Sequence, residues 1–153
     1  MRYVMLDRIT ELKPGEIARG LKCVSLAEDY FVDHFPGIPV MPGALILESL
    51  AQLGGTLCEA TMRERGHPKV NALLTMIDKA KFRTPARPGD RLELETTLLA
   101  ASENAGQVQG LARIDGKIVA EAAITFAFVD VQNQKLLDER AQYLKVLLTG
   151  ATE

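Results

Sequence analysis

The pattern of apolar and polar positions changes character twice along this chain. Two segments, Arg2–Leu12 and Glu16–Ser25, read as strands joined by the turn dipeptide Pro14-Gly15. Three prolines, Pro36, Pro39 and Pro42, then fall within seven residues. Each fixes φ and restricts the residue before it, so this loop is rigid by composition. Pro42 suits the first turn of a helix, where a missing N–H costs nothing, and a helix is expected from about Pro42 to Arg65, stopping at Gly66. Between Ala44 and Leu57 its only polar groups are Glu48, Ser49, Gln52 and Thr56, and a helix this apolar is buried on most sides. Gly54 and Gly55 in its middle each cost about 1 kcal/mol relative to alanine, so the pair predicts something packed closely against the backbone.

After the helix the period returns to two. Val70–Ile77 is a mostly apolar strand, and Asp90–Ala100 opens with Leu92 and Leu94 alternating against Glu93 and Glu95. Gln107–Ile114 and Lys117–Val129 flank Asp115-Gly116, a strong hairpin signal. Leu137, Ala141, Leu144 and Leu148 recur at helical spacing and predict a short amphipathic helix near the end. The expected fold is therefore α+β: one domain over residues 1–153, with a curved antiparallel sheet of five or six strands wrapped around one long helix, the hot-dog arrangement.

Composition narrows the function classes. A net charge of -2 supplies no basic excess to displace counterions from a nucleic acid. The start, MRYVMLDRITELKPG, interleaves charges too early for a signal peptide, and no apolar stretch approaches bilayer length. Cys23 and Cys58 have no CxxC spacing and read as buried small hydrophobes, not a disulfide, in a reducing compartment. With two widely separated histidines they make no zinc pattern, so neither metal nor cofactor is expected.

The most informative stretch is His34 to Glu48, HFPGIPVMPGALILE. A lone histidine sits on the rigid loop and a lone carboxylate one turn inside the apolar helix. At 14 positions apart they cannot share a helical face. The loop folds back, or a second subunit supplies one of them. A base and an acid in apolar surroundings are what proton abstraction and donation at adjacent carbons require. Alone, His34 reads as an ordinary loop histidine, and His67 as a solvated group at the helix end.

The segment DHFPGIPVMPGALILESLAQ closely resembles the signature of the 3-hydroxyacyl-acyl-carrier-protein dehydratases of type II fatty acid synthesis. The likeness continues through DKAKFRTPARPGD and IDGKIVAEAAITF, and so covers most of the chain. The resemblance implies that His34 and Glu48 are the catalytic pair, contributed by opposite subunits of a homodimer that often assembles as a trimer of dimers. Glutamate at position 48 looks like the branch that only dehydrates. The implied partner is an acyl carrier protein bearing a phosphopantetheine-linked acyl group, in the cytoplasm. This chain departs from the family in having Asp33, where glycine usually precedes the histidine. It also begins near its first strand, where relatives often carry a further segment.

Dehydration removes a proton from C2 and hydroxide from C3, which assigns roles. His34 is the base. Glu48, among Leu45, Leu47 and Ala51, is penalised for ionising and keeps a proton to give. Gly43, at the positive end of the helix, can offer its N–H to the thioester oxygen. Gln52, one turn after Glu48, can orient that carboxyl or serve the substrate. Lys79, Lys81, Arg83 and Arg87 read either as a solvated strand edge or, as the resemblance favours, as a docking surface for the acidic carrier. Two other classes suit the same fold: an acyl-thioesterase, and a non-catalytic subunit that only binds acyl chains.

Overall fold

The structure, a computed structural model, describes residues 1–150; positions 151–153, the end of the expected domain, lie outside the described residues. The elements in chain order are β1 (Arg8–Lys13), β2 (Ile17–Cys23), a 3-10 turn (Asp29–Val32), α1 (Gly43–Glu64), β3 (Val70–Phe82), β4 (Arg91–Ala101), β5 (Ala105–Ile114), β6 (Lys117–Asp130) and α2 (Gln134–Leu147). The strands form one antiparallel sheet in the order β1-β2-β4-β5-β6-β3, and α1 contacts every strand. This is the hot-dog arrangement that the patterning predicts.

The core lies between α1 and the concave face of the sheet. Leu50, Leu53 and Leu57 of α1 meet Leu92, Val108, Ala112, Ala122 and Ile124, all fully buried. Burial of alternate residues along β5 and β6 follows from the period of two in a strand with one covered face. The glycine pair does what its position predicts. A Cβ on Gly54 would lie 2.8 Å from Val108 Cγ2, so the helix backbone sits directly on the sheet there. The two buried hydroxyls of α1 turn back on their own helix, Ser49 Oγ to Leu45 O at 3.1 Å and Thr61 Oγ1 to Leu57 O at 2.7 Å, and Thr61 Oγ1 also accepts from the Gly15 N–H of the β1–β2 turn at 2.8 Å.

Two elements differ from expectation. The first strand begins at Arg8 and not at Arg2, because the Tyr3–Met5 backbone is bound elsewhere: Met5 N–H and Tyr3 O both bond the side-chain amide of Gln52 on α1. The third strand runs to Phe82, past Ile77. Register shifts between Leu74 and Met76 and between Asp78 and Lys81 break the alternation, while pairing with β6 continues through the charged residues. Lys79, at φ +54°, is part of the second irregularity. β3 is also a sheet edge, and Leu73, Leu74, Met76, Ile77 and Phe82 along it are exposed. Among the described residues, no helix is long and apolar enough to cross a membrane.

Candidate active site

His34 follows the 3-10 turn and is held on three sides. Its N–H donates to Tyr30 O at 3.1 Å, its carbonyl accepts from Val40 N–H at 3.0 Å, and its Nδ1 lies 2.7 Å from Val40 O. The prolines on either side of Val40 and Met41 stiffen the segment that carries this carbonyl, and Met41 N–H is fixed to Ala86 O at 2.8 Å. A carbonyl oxygen can only accept, so Nδ1 carries the hydrogen and Nε2 of the neutral ring is left with its lone pair. The His34 ring stacks on Phe35 at 4.0 Å between centroids, and the peptide joining the two residues is cis.

His34 lines a cavity of about 490 Å³ together with Val40, Gly43, Phe82 and Arg83. Gly43 opens α1. Leu45 and Ile46 N–H both turn back to Pro42 O, which leaves the amides of Gly43 and Ala44 without an acceptor inside the helix. A Cβ on Gly43 would lie 2.7 Å from Phe82 Cε1, so glycine is what lets the aromatic ring and the helix end share this wall. The cavity thus combines an unprotonated ring nitrogen with backbone donors at a positive helix end.

Glu48 lines a different cavity, also about 490 Å³, with Tyr3, Gln52, Phe126 and several residues of α2. Its Oε1 accepts from Gln52 Nε2 at 3.0 Å. Gln52 Nε2 also donates to Tyr3 O at 3.1 Å, and its Oε1 accepts from Met5 N–H at 3.0 Å. Both amide hydrogens of Gln52 are therefore engaged within the chain, which makes it an orienting group for Glu48. His34 and Glu48 thus line two separate cavities.

The basic residues divide. Arg83 lines the His34 cavity and bonds Glu121 Oε1 at 3.1 Å, while Lys81 approaches the same oxygen at 3.9 Å. Arg87 donates its backbone N–H to Asp90 Oδ2 at 2.8 Å, closing the turn before β4. Lys79 is exposed in the β3 irregularity. Of the four, Arg83 is the one that lines the His34 cavity.

Sequence reasoning missed three features of these sites. The Val40 carbonyl carries no side-chain signal. Tyr3 meets Glu48: the carboxylate's charge, then burial and a hydrogen bond between the two side chains, raises the Tyr3 phenol above its ordinary range. Arg140 of α2 reaches Glu59 of α1, with Nη2 at 2.6 Å from each carboxylate oxygen. Tyr3 and Arg140 are separated from their partners by 45 or more positions, and no local spacing announces such pairs.

The FabA-like domain matches residues 1–123. The 3-hydroxyacyl-acyl-carrier-protein dehydratase FabZ of Campylobacter jejuni is 43% identical over 84% of this chain and 88% of its own length. The corresponding FabZ of Nitratidesulfovibrio vulgaris is 44% identical over 82% of this chain and 80% of its own. Among solved structures, the dehydratase heterocomplex ApeI:P of Xenorhabdus doucetiae shares the fold at a TM-score of 0.65 and 16% identity, covering 90% of this chain and 89% of that one. The chain belongs to the FabA-like family of 3-hydroxyacyl-acyl-carrier-protein dehydratases.

Proposed function

We propose that this chain dehydrates (3R)-hydroxyacyl thioesters on acyl carrier protein to trans-2-enoyl thioesters, in a site completed across a homodimer. The observation that carries the reading is the 2.7 Å contact between His34 Nδ1 and Val40 O, which leaves Nε2 of the neutral ring free to act as a base in a residue that lines the same cavity as Gly43. His34 Nε2 takes the C2 proton, and the electron pair moves toward the thioester carbonyl. The oxygen of that carbonyl accepts from the Gly43 N–H as negative charge builds on it. Glu48 gives a proton to the C3 hydroxyl, the C3–O bond breaks, and water leaves as the C2–C3 double bond forms. His34 ends protonated and Glu48 ionised, so proton return between them resets the site.

Separate cavities for His34 and Glu48 support the supply of one residue by a second copy. The exposed apolar edge of β3 and the exposed Phe35 and Ile38 of the His34 loop support a self-association surface there. Lys79, Lys81, Arg83 and Arg87 form the docking surface for the acidic carrier, and turnover of carrier-bound substrate falls as salt rises. Unpaired Cys23 and Cys58 support a cytoplasmic setting.

The test is hydration of a short trans-2-enoyl thioester, followed by loss of conjugated-enoyl absorbance, in the wild type, His34→Ala and Glu48→Gln. The reading requires activity in the wild type and its collapse in both folded variants. Release of free thiol without loss of the double bond would make the chain a thioesterase and would sink the reading.

A further inference from the structure

The family match ends at residue 123, and α2 lies wholly beyond it. Yet α2 forms one wall of the cavity that holds Glu48. It is a well-made helix: the Asn133 side chain caps it by accepting from Lys135 N–H at 3.0 Å and Leu136 N–H at 3.4 Å. Leu147 is buried in the core, and Leu144 and Leu148 pack against it. The other half stands away from the body, tied down by Arg140. Glu59, which receives Arg140, also accepts the Ala72 N–H at 2.9 Å, so one carboxylate joins α2, α1 and β3.

The space so enclosed runs along α1 from Glu48 past Gln52 and Thr56 to Glu59, about 16 Å at the rise of a helix. The polar groups on that wall are already partnered. Gln52 bonds Glu48, Tyr3 and Met5; Thr56 Oγ1 donates to Gln52 O at 2.8 Å; Glu59 is held by Arg140 and Ala72. Apolar groups make up a little over half of what faces the interior. Gly55, Ala72 and Phe126 lie on one side, with Leu137, Ala141 and Leu144 of α2 across from them.

We propose that α2 is the chain-length gauge of this enzyme: the wall against which the distal methylenes of the acyl chain pack, held at a set distance by the Arg140–Glu59 pair. The inference rests on the proposed reading in that Glu48 is taken to meet C3. The carbons beyond C3 then extend along α1 into this cavity. Each methylene packed there is expected to improve kcat/KM about fourfold, until the chain outgrows the enclosed length.

The chain contains no tryptophan, so Ala141→Trp places a unique fluorophore on this wall. Ala141 is exposed to the cavity, so the larger ring fills open space and does not overpack a core. Leu136→Trp, at a position 49% exposed and not lining the cavity, is the control. Emission is read on adding unreactive acetyl- and dodecanoyl-pantetheine thioesters, and kcat/KM is read on short and long enoyl thioesters. The expected result is an emission shift with the dodecanoyl thioester only, and a ratio of long-chain to short-chain kcat/KM reduced about fifteenfold, the effect of displacing roughly two methylenes. The control should show neither. An indole at position 141 blind to both thioesters, or an unchanged ratio, overturns the gauge. A clear emission shift in a protein that hydrates no enoyl thioester would keep the acyl wall and overturn the dehydratase reading instead.

Discussion

The Nδ1 of His34 and the carbonyl oxygen of Val40 lie 2.7 Å apart, and the Val40 N–H returns a second bond to His34 O at 3.0 Å. This pairing fixes both the plane of the ring and its tautomer. Nitrogen-detected NMR of the neutral protein should therefore show one histidine with hydrogen on Nδ1 and an unprotonated Nε2. The chain has two histidines, so His67→Gln assigns the signal. A neutral His34 carrying its hydrogen on Nε2 would remove the base from the cavity.

Gly43 is required by its neighbour as much as by its own backbone. Gly43→Ala sets a methyl against the Phe82 ring, which is 53% exposed and can swing outward. Folding stability should change by no more than about 1 kcal/mol. The displaced ring and a shifted amide should lower kcat about 100-fold, with less change in KM, because the donor acts on charge present mainly in the transition state. Equal unfolding midpoints with wild-type kcat would remove Gly43 from the oxyanion role.

Gly54 and Gly55 are adjacent but should respond oppositely to alanine. At Gly54 the new Cβ would lie 2.8 Å from Val108 Cγ2, and overpacking there costs about 1–3 kcal/mol, more than the helix-propensity gain. At Gly55 the closest atom is 3.5 Å away on Phe126, ordinary contact, so the propensity gain of about 1 kcal/mol survives. Denaturant unfolding of the two variants checks this. Similar shifts in the same direction would contradict the close approach of α1 to β5.

Stability should fall on the alkaline side. Burial pushes the Cys58 thiol from its ordinary 9.0 up to about 12, with the Glu59 charge adding to it, and burial with the nearby Glu28, Asp29 and Asp7 charges pushes Tyr30 from 10.0 up to about 12. Both groups are neutral when protonated. Between their unfolded and folded values the unfolded chain releases protons that the folded chain retains, so stability decreases as pH rises from about 9 toward 12. Cys58→Ala should flatten the first part of that decline. In the native state at pH 8, iodoacetamide should modify exposed Cys23 and leave Cys58 untouched until the protein unfolds.

The sequence exposes most of this fold because its period switches coincide with element boundaries. The proline-bracketed start of α1 and the Asp115-Gly116 hairpin sit where their local chemistry requires. Where the reading went astray, a long-range contact had overridden a local pattern. Tyr3 and Met5 look like strand residues, but Gln52 occupies their backbone groups. The apolar run that marks the third strand stops at Ile77, but pairing with β6 carries the strand on to Phe82 across the irregularity between Asp78 and Lys81. For the site, His34 and Glu48 are visible as isolated polar residues in apolar or proline-rich surroundings. The orienting carbonyl of Val40 and the α2 wall are not, since one is backbone and the other depends on how the chain end returns.

The most direct test of the account is subunit complementation. In a shared site, a dimer of one His34→Ala chain and one Glu48→Gln chain has one cavity with both functional residues intact and one with neither. The two variants are purified separately, mixed, unfolded and refolded together, and assayed for hydration of a carrier-bound enoyl thioester. The account predicts two nearly inactive parents and a mixture with about one quarter of wild-type activity, because half of randomly formed dimers are mixed and each of those has one working site. A mixture no more active than its parents, with mixed dimers present, would place both residues in one chain's site and contradict the account.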